Sequence, residues 1–99
     1  MRVEVTGRHL DVTPAIESYV ESKCEKLTRY FNGVQEIDVL VEKVNHAADS
    51  FWVEIRVEAV KHDTFVSKAE GADLHKCIDA CVDKMARQLT DFKEKLRDH

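Results

Sequence analysis

The sequence predicts an α+β fold: a four-stranded β-sheet with two helices packed on one face, in the order β-α-β-β-β-α. Three observations predict it. Two stretches place apolar residues every three or four positions, the repeat of a helix with one buried stripe. Four shorter stretches favour the strand period, apolar and polar residues alternating along the chain. A sheet that is wet on one face and covered by two amphipathic helices on the other is the economical way to bury all these stripes together.

The first strand is Arg2 to Thr6, with Val3 and Val5 on one side and Gly7 closing it. A connector, Arg8 to Val12, leads to Thr13-Pro14. Thr13 can cap a free backbone N–H, and Pro14 at the first helical position loses no hydrogen bond that the helix needs. Glu17 follows at the positive end of the helix dipole. Ile16, Val20, Cys24, Leu27 and Phe31 form the apolar stripe, so the helix is expected to reach about Tyr30-Phe31 and to stop at Asn32-Gly33. In the second strand, Ile37 to Glu42, the residues Ile37, Val39 and Val41 share a side. In the third, Phe51 to Val60, the residues Phe51, Val53, Ile55, Val57 and Ala59 point inward while Trp52, Glu54, Arg56 and Glu58 point out. Such alternation marks antiparallel strands with one wet face. Leu40 and Val60 break the pattern locally. The polar stretch Asn45 to Ser50 is the expected loop between these strands, and Lys61-His62-Asp63 the turn into a fourth strand, Thr64 to Ala69. Asp73 is the expected cap of the last helix, whose stripe runs through Leu74, Cys77, Ile78, Cys81, Val82, Met85, Leu89, Phe92 and Leu96 towards His99.

Ninety-nine residues form a single domain, 1–99, long enough to bury about two thirds of the unfolded surface without crosslinks. No apolar run approaches the roughly 18 residues that span a bilayer, and the alternating start Met1 to Val5 is not a signal peptide. Three cysteines, an odd number without a secreted framework, point to a reducing cytoplasm. Cys77 and Cys81, one turn apart, could share a metal with Cys24, but all three lie on apolar stripes, where small thiols pack in the core. No metal site is therefore expected. Asp73 or Asp79 can be paired with His75 on paper, yet no nucleophile and no phosphate-cradling glycine loop accompanies them, so no enzyme is predicted.

A net charge of −4 excludes a generic nucleic-acid binder with a basic surplus, so any RNA contact needs a local concentration of cations. The helical wheel supplies one. In the first helix Lys23, Lys26 and Arg29 lie on one flank of the stripe, opposite Glu17, Glu21 and Glu25. In the second, Lys76, Lys84, Arg87 and Lys95 follow one flank with Gln88 among them; Asp79 and Asp83 lie elsewhere and Asp91 intrudes. Charged helix faces are usually no more than solvated surface. Segregation in both helices of so acidic a chain is what favours a phosphate-following row, with distant acids screened beyond about 10 Å. The alternative is a protein-interaction module that uses Trp52 and Arg56 on the exposed sheet face.

Several motifs carry a family resemblance. They are Val5-Thr6-Gly7, Thr13-Pro14, Lys26-Leu27 before Tyr30-Phe31, Val41-Glu42-Lys43-Val44, Ala69-Glu70-Gly71, Cys77-Ile78-Asp79, the run Asp83 to Leu89, and Lys93-Glu94-Lys95-Leu96. Along its whole length the chain resembles the short form of ribosome hibernation promoting factor and its relative, the ribosome-associated inhibitor YfiA; Asp79 to Leu96 is the most specific part. The resemblance implies a domain like a double-stranded RNA-binding domain in outline, which binds the small ribosomal subunit and its rRNA in the mRNA and tRNA channel and blocks translation. It maps RNA contacts onto Lys23, Lys26, Arg29, Lys84, Arg87, Gln88, Lys93 and Lys95, of which Lys93 alone lies across the stripe from the wheel-selected flank. It implies no cofactor, no membrane and no small-molecule substrate, and a separate factor for any pairing of ribosomes, because the chain ends at His99 without the second domain of long-form members. Three positions depart from the family pattern: His75 where a tyrosine is common, Asp91 where a basic residue is usual, and Phe92 where a histidine is usual.

Overall fold

The computed structural model describes residues 2–45, 49–60 and 62–97. The expected strand β1 spans Arg2–Arg8, followed by helix α1 at Pro14–Glu25, β2 at Val34–Asn45, β3 at Asp49–Ala59, β4 at Phe65–Gly71 and helix α2 at Leu74–Arg97. The order is the predicted one. His46 to Ala48 of the expected loop, Lys61 of the expected turn and the last two residues of the expected final helix lie outside the described residues.

The strands stand in sequence order, β1-β2-β3-β4, and the sheet is mixed. β1 runs parallel to β2 with Val3 beside Ile37 and Val5 beside Val39. The other pairs are antiparallel, with Val39 opposite Ile55 and Val53 opposite Ala69. Parallel pairing of β1 and β2 follows from the helix between them, since parallel strands need a crossover and a tight turn cannot supply one. β1 does not stop at Gly7, as expected, but continues to Arg8. Gly7 is needed there because a Cβ would run into the carbonyl of Leu10, where the chain folds back.

Both helix caps form as the sequence predicts. The Ile16 N–H donates to Thr13 Oγ1 at 3.2 Å, and the Lys76 N–H donates to Asp73 Oδ1 at 3.1 Å. The end of the first helix differs from expectation. The α-helix stops at Glu25 and a 3-10 turn covers Lys26–Arg29. The Thr28 hydroxyl donates to the Glu25 carbonyl at 2.8 Å, a side-chain bond that competes with continuation of the α-helix, while the tighter turn closes its last residues.

The core lies between the sheet and the helices. Val20, Cys24 and Leu27 come from the first helical segment, Ile37, Val41, Val53, Ile55 and Val57 from the sheet, and Cys81, Met85 and Leu89 from α2; all are wholly buried. Ser67 on β4 is the buried polar residue among them, and its hydroxyl donates to the Cys81 carbonyl at 3.0 Å. The cysteines are core groups: the Cys81 thiol points at the Val53 carbonyl (3.6 Å) and the Cys77 thiol at the Phe51 carbonyl (3.9 Å). Burial pushes the Cys24 thiol up to about 12 and raises Cys77 and Cys81 as well, which disfavours the thiolate that a metal would need.

Two outcomes follow. Ile55→Ala should lower the unfolding free energy by about 2–5 kcal/mol in a urea titration, because it opens a cavity between β2, β4 and α2. The Cys24 thiol ionises near 9.0 when unfolded and near 12 when folded. Its contribution to stability is therefore intact below pH 9 and is lost as the pH rises towards 12, so Cys24→Ala should flatten the alkaline fall of the thermal midpoint.

Candidate nucleic-acid interface

The register of the sheet decides where the charges go. Residues that alternate with the core stripe, including Glu4, Glu36, Asp38, Glu42, Glu54, Glu58 and Glu70, all lie on the open face. The cations there are engaged. Arg2 lies 2.6 Å from Glu4 and 3.4 Å from Glu36, Arg8 lies 3.9 Å from Glu42, and Arg56 donates to Glu54 at 2.9 Å. Lys68 sits 5.8 Å from the centre of the Trp52 ring. Glu4, Glu36 and Asp38 converge closely enough to share a cation, but the Arg2 guanidinium already pairs with Glu4 and Glu36. The open face is acidic, and both Trp52 and Arg56, the residues of the protein-docking alternative, are partnered within it.

The helix layer carries the predicted site, and there the eight residues divide into groups. Lys23 is paired: its ammonium lies 3.3 Å from Asp79 of α2 and 5.5 Å from the Tyr19 ring centre. Lys26 lines a groove between the first helical segment and α2, together with Tyr30 and, on the opposite wall, Asp79, Asp83 and Ala86. Lys26 and Arg29 fall three apart in a 3-10 turn, where such residues eclipse each other, so their two exposed cations stand one above the other. Lys93 lies seven residues beyond Ala86 and fourteen beyond Asp79, which places it on the same side of α2, facing the first helical segment.

The other flank of α2 faces the free edge of β4. The Lys84 ammonium donates to the Lys68 carbonyl at 2.7 Å, and the Gln88 amide donates to the Val66 carbonyl at 2.8 Å. Both side chains thus cap edge-strand carbonyls that would otherwise be open to pairing. Lys95 lies beyond them, beside Gln88 and Asp91. Arg87 stands exposed between the two flanks and has no carboxylate within ion-pair distance among the described residues. The eight residues therefore lie on two sides of α2 rather than in one continuous row. Asp79 and Asp83 line the groove between the first helical segment and α2, and the Lys84–Gln88–Lys95 flank looks the other way.

No local pattern in the chain foretells the tie between the helices. The Tyr19 hydroxyl donates to Asp79 Oδ1 at 2.6 Å, and the His75 ring meets the Tyr19 ring edge-on at 4.6 Å. The bond to Asp79 pushes the Tyr19 phenol up to about 12, and the same bond, reinforced by Lys23, holds Asp79 below the usual carboxylate range. Tyr19 is an apolar-stripe neighbour in the sequence, and only the fold brings it to a carboxylate sixty residues away.

The protein is thus a small α+β domain with an acidic open sheet face and a helix layer that carries exposed cations. Residues 3–97 match the model of the family described as sigma 54 modulation protein / S30EA ribosomal protein, and the chain belongs to that family. It is 36% identical over 101 residues to the ribosome hibernation promoting factor of Escherichia coli strain K12, with the whole of both chains covered. Among solved structures, it is similar to the N-terminal domain of Thermus thermophilus Protein Y, with a TM-score of 0.83 and 31% identity over 93% of this chain and 99% of that one. A ribosomal subunit interface protein from Coxiella burnetii shares the fold, with a TM-score of 0.83 at 23% identity over 95% of this chain and 99% of that one. The hibernation-factor family expected from the sequence is the family found.

The Tyr19–Asp79 tie yields a pH-dependent outcome. Tyr19→Phe should lower stability near neutral pH by about 1 kcal/mol or less, since the pair is partly exposed. Asp79 is held below its ordinary value of 3.8, so its contribution is present above that pH and is lost as the pH falls further. The gap between wild type and Tyr19→Phe in urea midpoint should therefore narrow on acidification below about pH 4.

Proposed function

We propose that the protein is a non-enzymatic, cytoplasmic ribosome hibernation factor that binds rRNA of the small ribosomal subunit in the mRNA and tRNA channel and so holds translation off. The cations of the helix layer meet the phosphates, and the acidic sheet face is turned away from them. The observation that carries this reading is the position of the cations that have no ion-pair partner among the described residues. Lys26, Arg29, Arg87, Lys93 and Lys95 are exposed on the helix layer, while the arginines of the open sheet face are neutralised by carboxylates. The name of the Escherichia coli relative and the full-length match to it support the same reading.

Roles differ among the site residues. Arg87 can fork onto a phosphate with nothing to release first, which lysine cannot do as well. Lys26 and Arg29, eclipsed in their 3-10 turn, offer two charges to adjacent phosphates. Lys93 extends this side, and Lys95 extends the other. Lys23 must leave Asp79 before it can bind in full, while Lys84 and Gln88 each already spend one N–H on a β4 carbonyl; each of these three acts first in holding the fold.

Co-sedimentation with small subunits over a range of KCl concentrations tests the reading. Arg87→Ala combined with Lys95→Ala should weaken binding at least about ten-fold and lower the slope of log affinity against log salt by roughly two, one per lost phosphate contact. Unchanged affinity and slope in that variant, with its fold intact, would remove the helix layer as the RNA surface.

A further inference from the structure

Beside the C-terminal half of α2 lies an open pocket of about 240 Å³, lined by His62, Phe65, Gln88, Asp91, Phe92 and Lys95. It is separate from the groove between the helices. We propose that this pocket takes a single unstacked guanine base from the RNA that the basic flank holds; the inference rests on the RNA-binding reading above and adds to it a base-specific contact.

Its floor is a built aromatic stack. The His62 imidazole lies flat on Phe65, with centres 3.8 Å apart and planes 4° from parallel. Phe92 closes one side edge-on, with its centre 4.5 Å from His62 and 5.5 Å from Phe65. Phe65 is buried and Phe92 partly so, yet His62 at the top of the stack is exposed. The His62 Nδ1 also meets the Asp63 carbonyl, which helps to fix the ring. A stack of rings that ends in an exposed flat face is what a splayed-out base requires, and RNA is read by sequence mostly at such unstacked bases.

The polar rim selects the base. Gln88 uses its amide N–H on the Val66 carbonyl, so its side-chain oxygen is left as an acceptor. Asp91 adds a carboxylate that has no cation within ion-pair distance among the described residues. Two acceptors on one wall suit an edge with two adjacent donors, and guanine alone presents N1–H and N2–H side by side. Adenine and cytosine each offer one amino group next to an acceptor nitrogen, which an anionic carboxylate repels. Uracil offers a single N–H between two carbonyl oxygens. Lys95 then supplies a cation for guanine O6 or for the adjoining phosphate, with Arg87 on the crest of the helix, one turn before Asp91. Asp91, an interruption when the flank is viewed as a row of cations, becomes the group that chooses the base.

Nuclear magnetic resonance titration of the intact protein with GMP, AMP, CMP and UMP, four ligands of equal phosphate charge, tests this. GMP should shift the His62 ring and the Gln88 side-chain amide, with an affinity roughly ten-fold above that of the other three. Asp91→Asn should abolish the preference for GMP, and His62→Ala should weaken all four ligands. A pentaribonucleotide with one guanosine among uridines should bind more tightly than GMP, because its phosphates reach Lys95 and Arg87. Equal shifts with all four nucleotides, or shifts confined to the groove at Lys23 and Lys26, would overturn the proposal. GMP binding as tightly as the pentaribonucleotide would overturn its RNA part and leave a free guanine nucleotide as the ligand. If the wild-type protein co-sediments with small subunits yet shows no base preference, the pocket fails alone. If it does not co-sediment, the RNA reading itself fails.

Discussion

The register of β2 against β3 places Ile37 opposite Val57, Val39 opposite Ile55 and Val41 opposite Val53, and every one of these side chains is at most 2% exposed. Strand side chains alternate, so a slip of one residue would carry Glu36, Asp38, Glu54 and Arg56 into the core and turn the apolar set to water. Desolvating those charges without partners would cost several kcal/mol each, which makes the register effectively fixed. Its consequences reach well beyond the sheet. It collects the strand carboxylates on the open face, and it leaves the two helices to cover the apolar one. The separation of charge between the two sides of the molecule is thus a by-product of core packing in a chain whose net charge is −4.

Much of this was legible from local pattern. Alternation located β2 and β3, and Thr13-Pro14 and Asp73 located the helix starts, because those signals arise within a few residues of where they act. Boundaries were less legible. β1 passes through Gly7, since only the fold shows that the Leu10 carbonyl lies over it, and the α1 wheel fails after Glu25, where the Thr28 hydroxyl takes a helix carbonyl. The site was legible in its residues more than in its layout. A wheel treats each helix alone, so it could place Lys84 and Gln88 on one flank but could not know that the flank faces the edge of β4. It could not foresee that Asp79 meets Tyr19 and Lys23 either, a contact between residues far apart in the chain.

The division of labour among the cations follows from those long-range contacts. An ammonium that already donates to a carbonyl or pairs with a carboxylate gains less from a phosphate than one in open water, because an existing interaction must be given up. Arg87, Lys26, Arg29, Lys93 and Lys95 are therefore the groups from which the strongest salt dependence is expected, and Lys23, Lys84 and Gln88 tie the helices and the sheet edge together. On the proposed function, an acidic protein binds an RNA surface because the repulsive charges stand on the opposite side of a sheet from the attractive ones, and solvent screening over that distance weakens the repulsion.

Lysine acylation footprinting of the protein free and bound to small subunits tests that arrangement most directly. Lys26, Lys93 and Lys95 on the helix layer should become protected on binding, while Lys68, exposed on the open sheet face, should react at an unchanged rate. Protection of Lys68 with the helix-layer lysines still reactive would place the acidic sheet face against the ribosome and contradict the account.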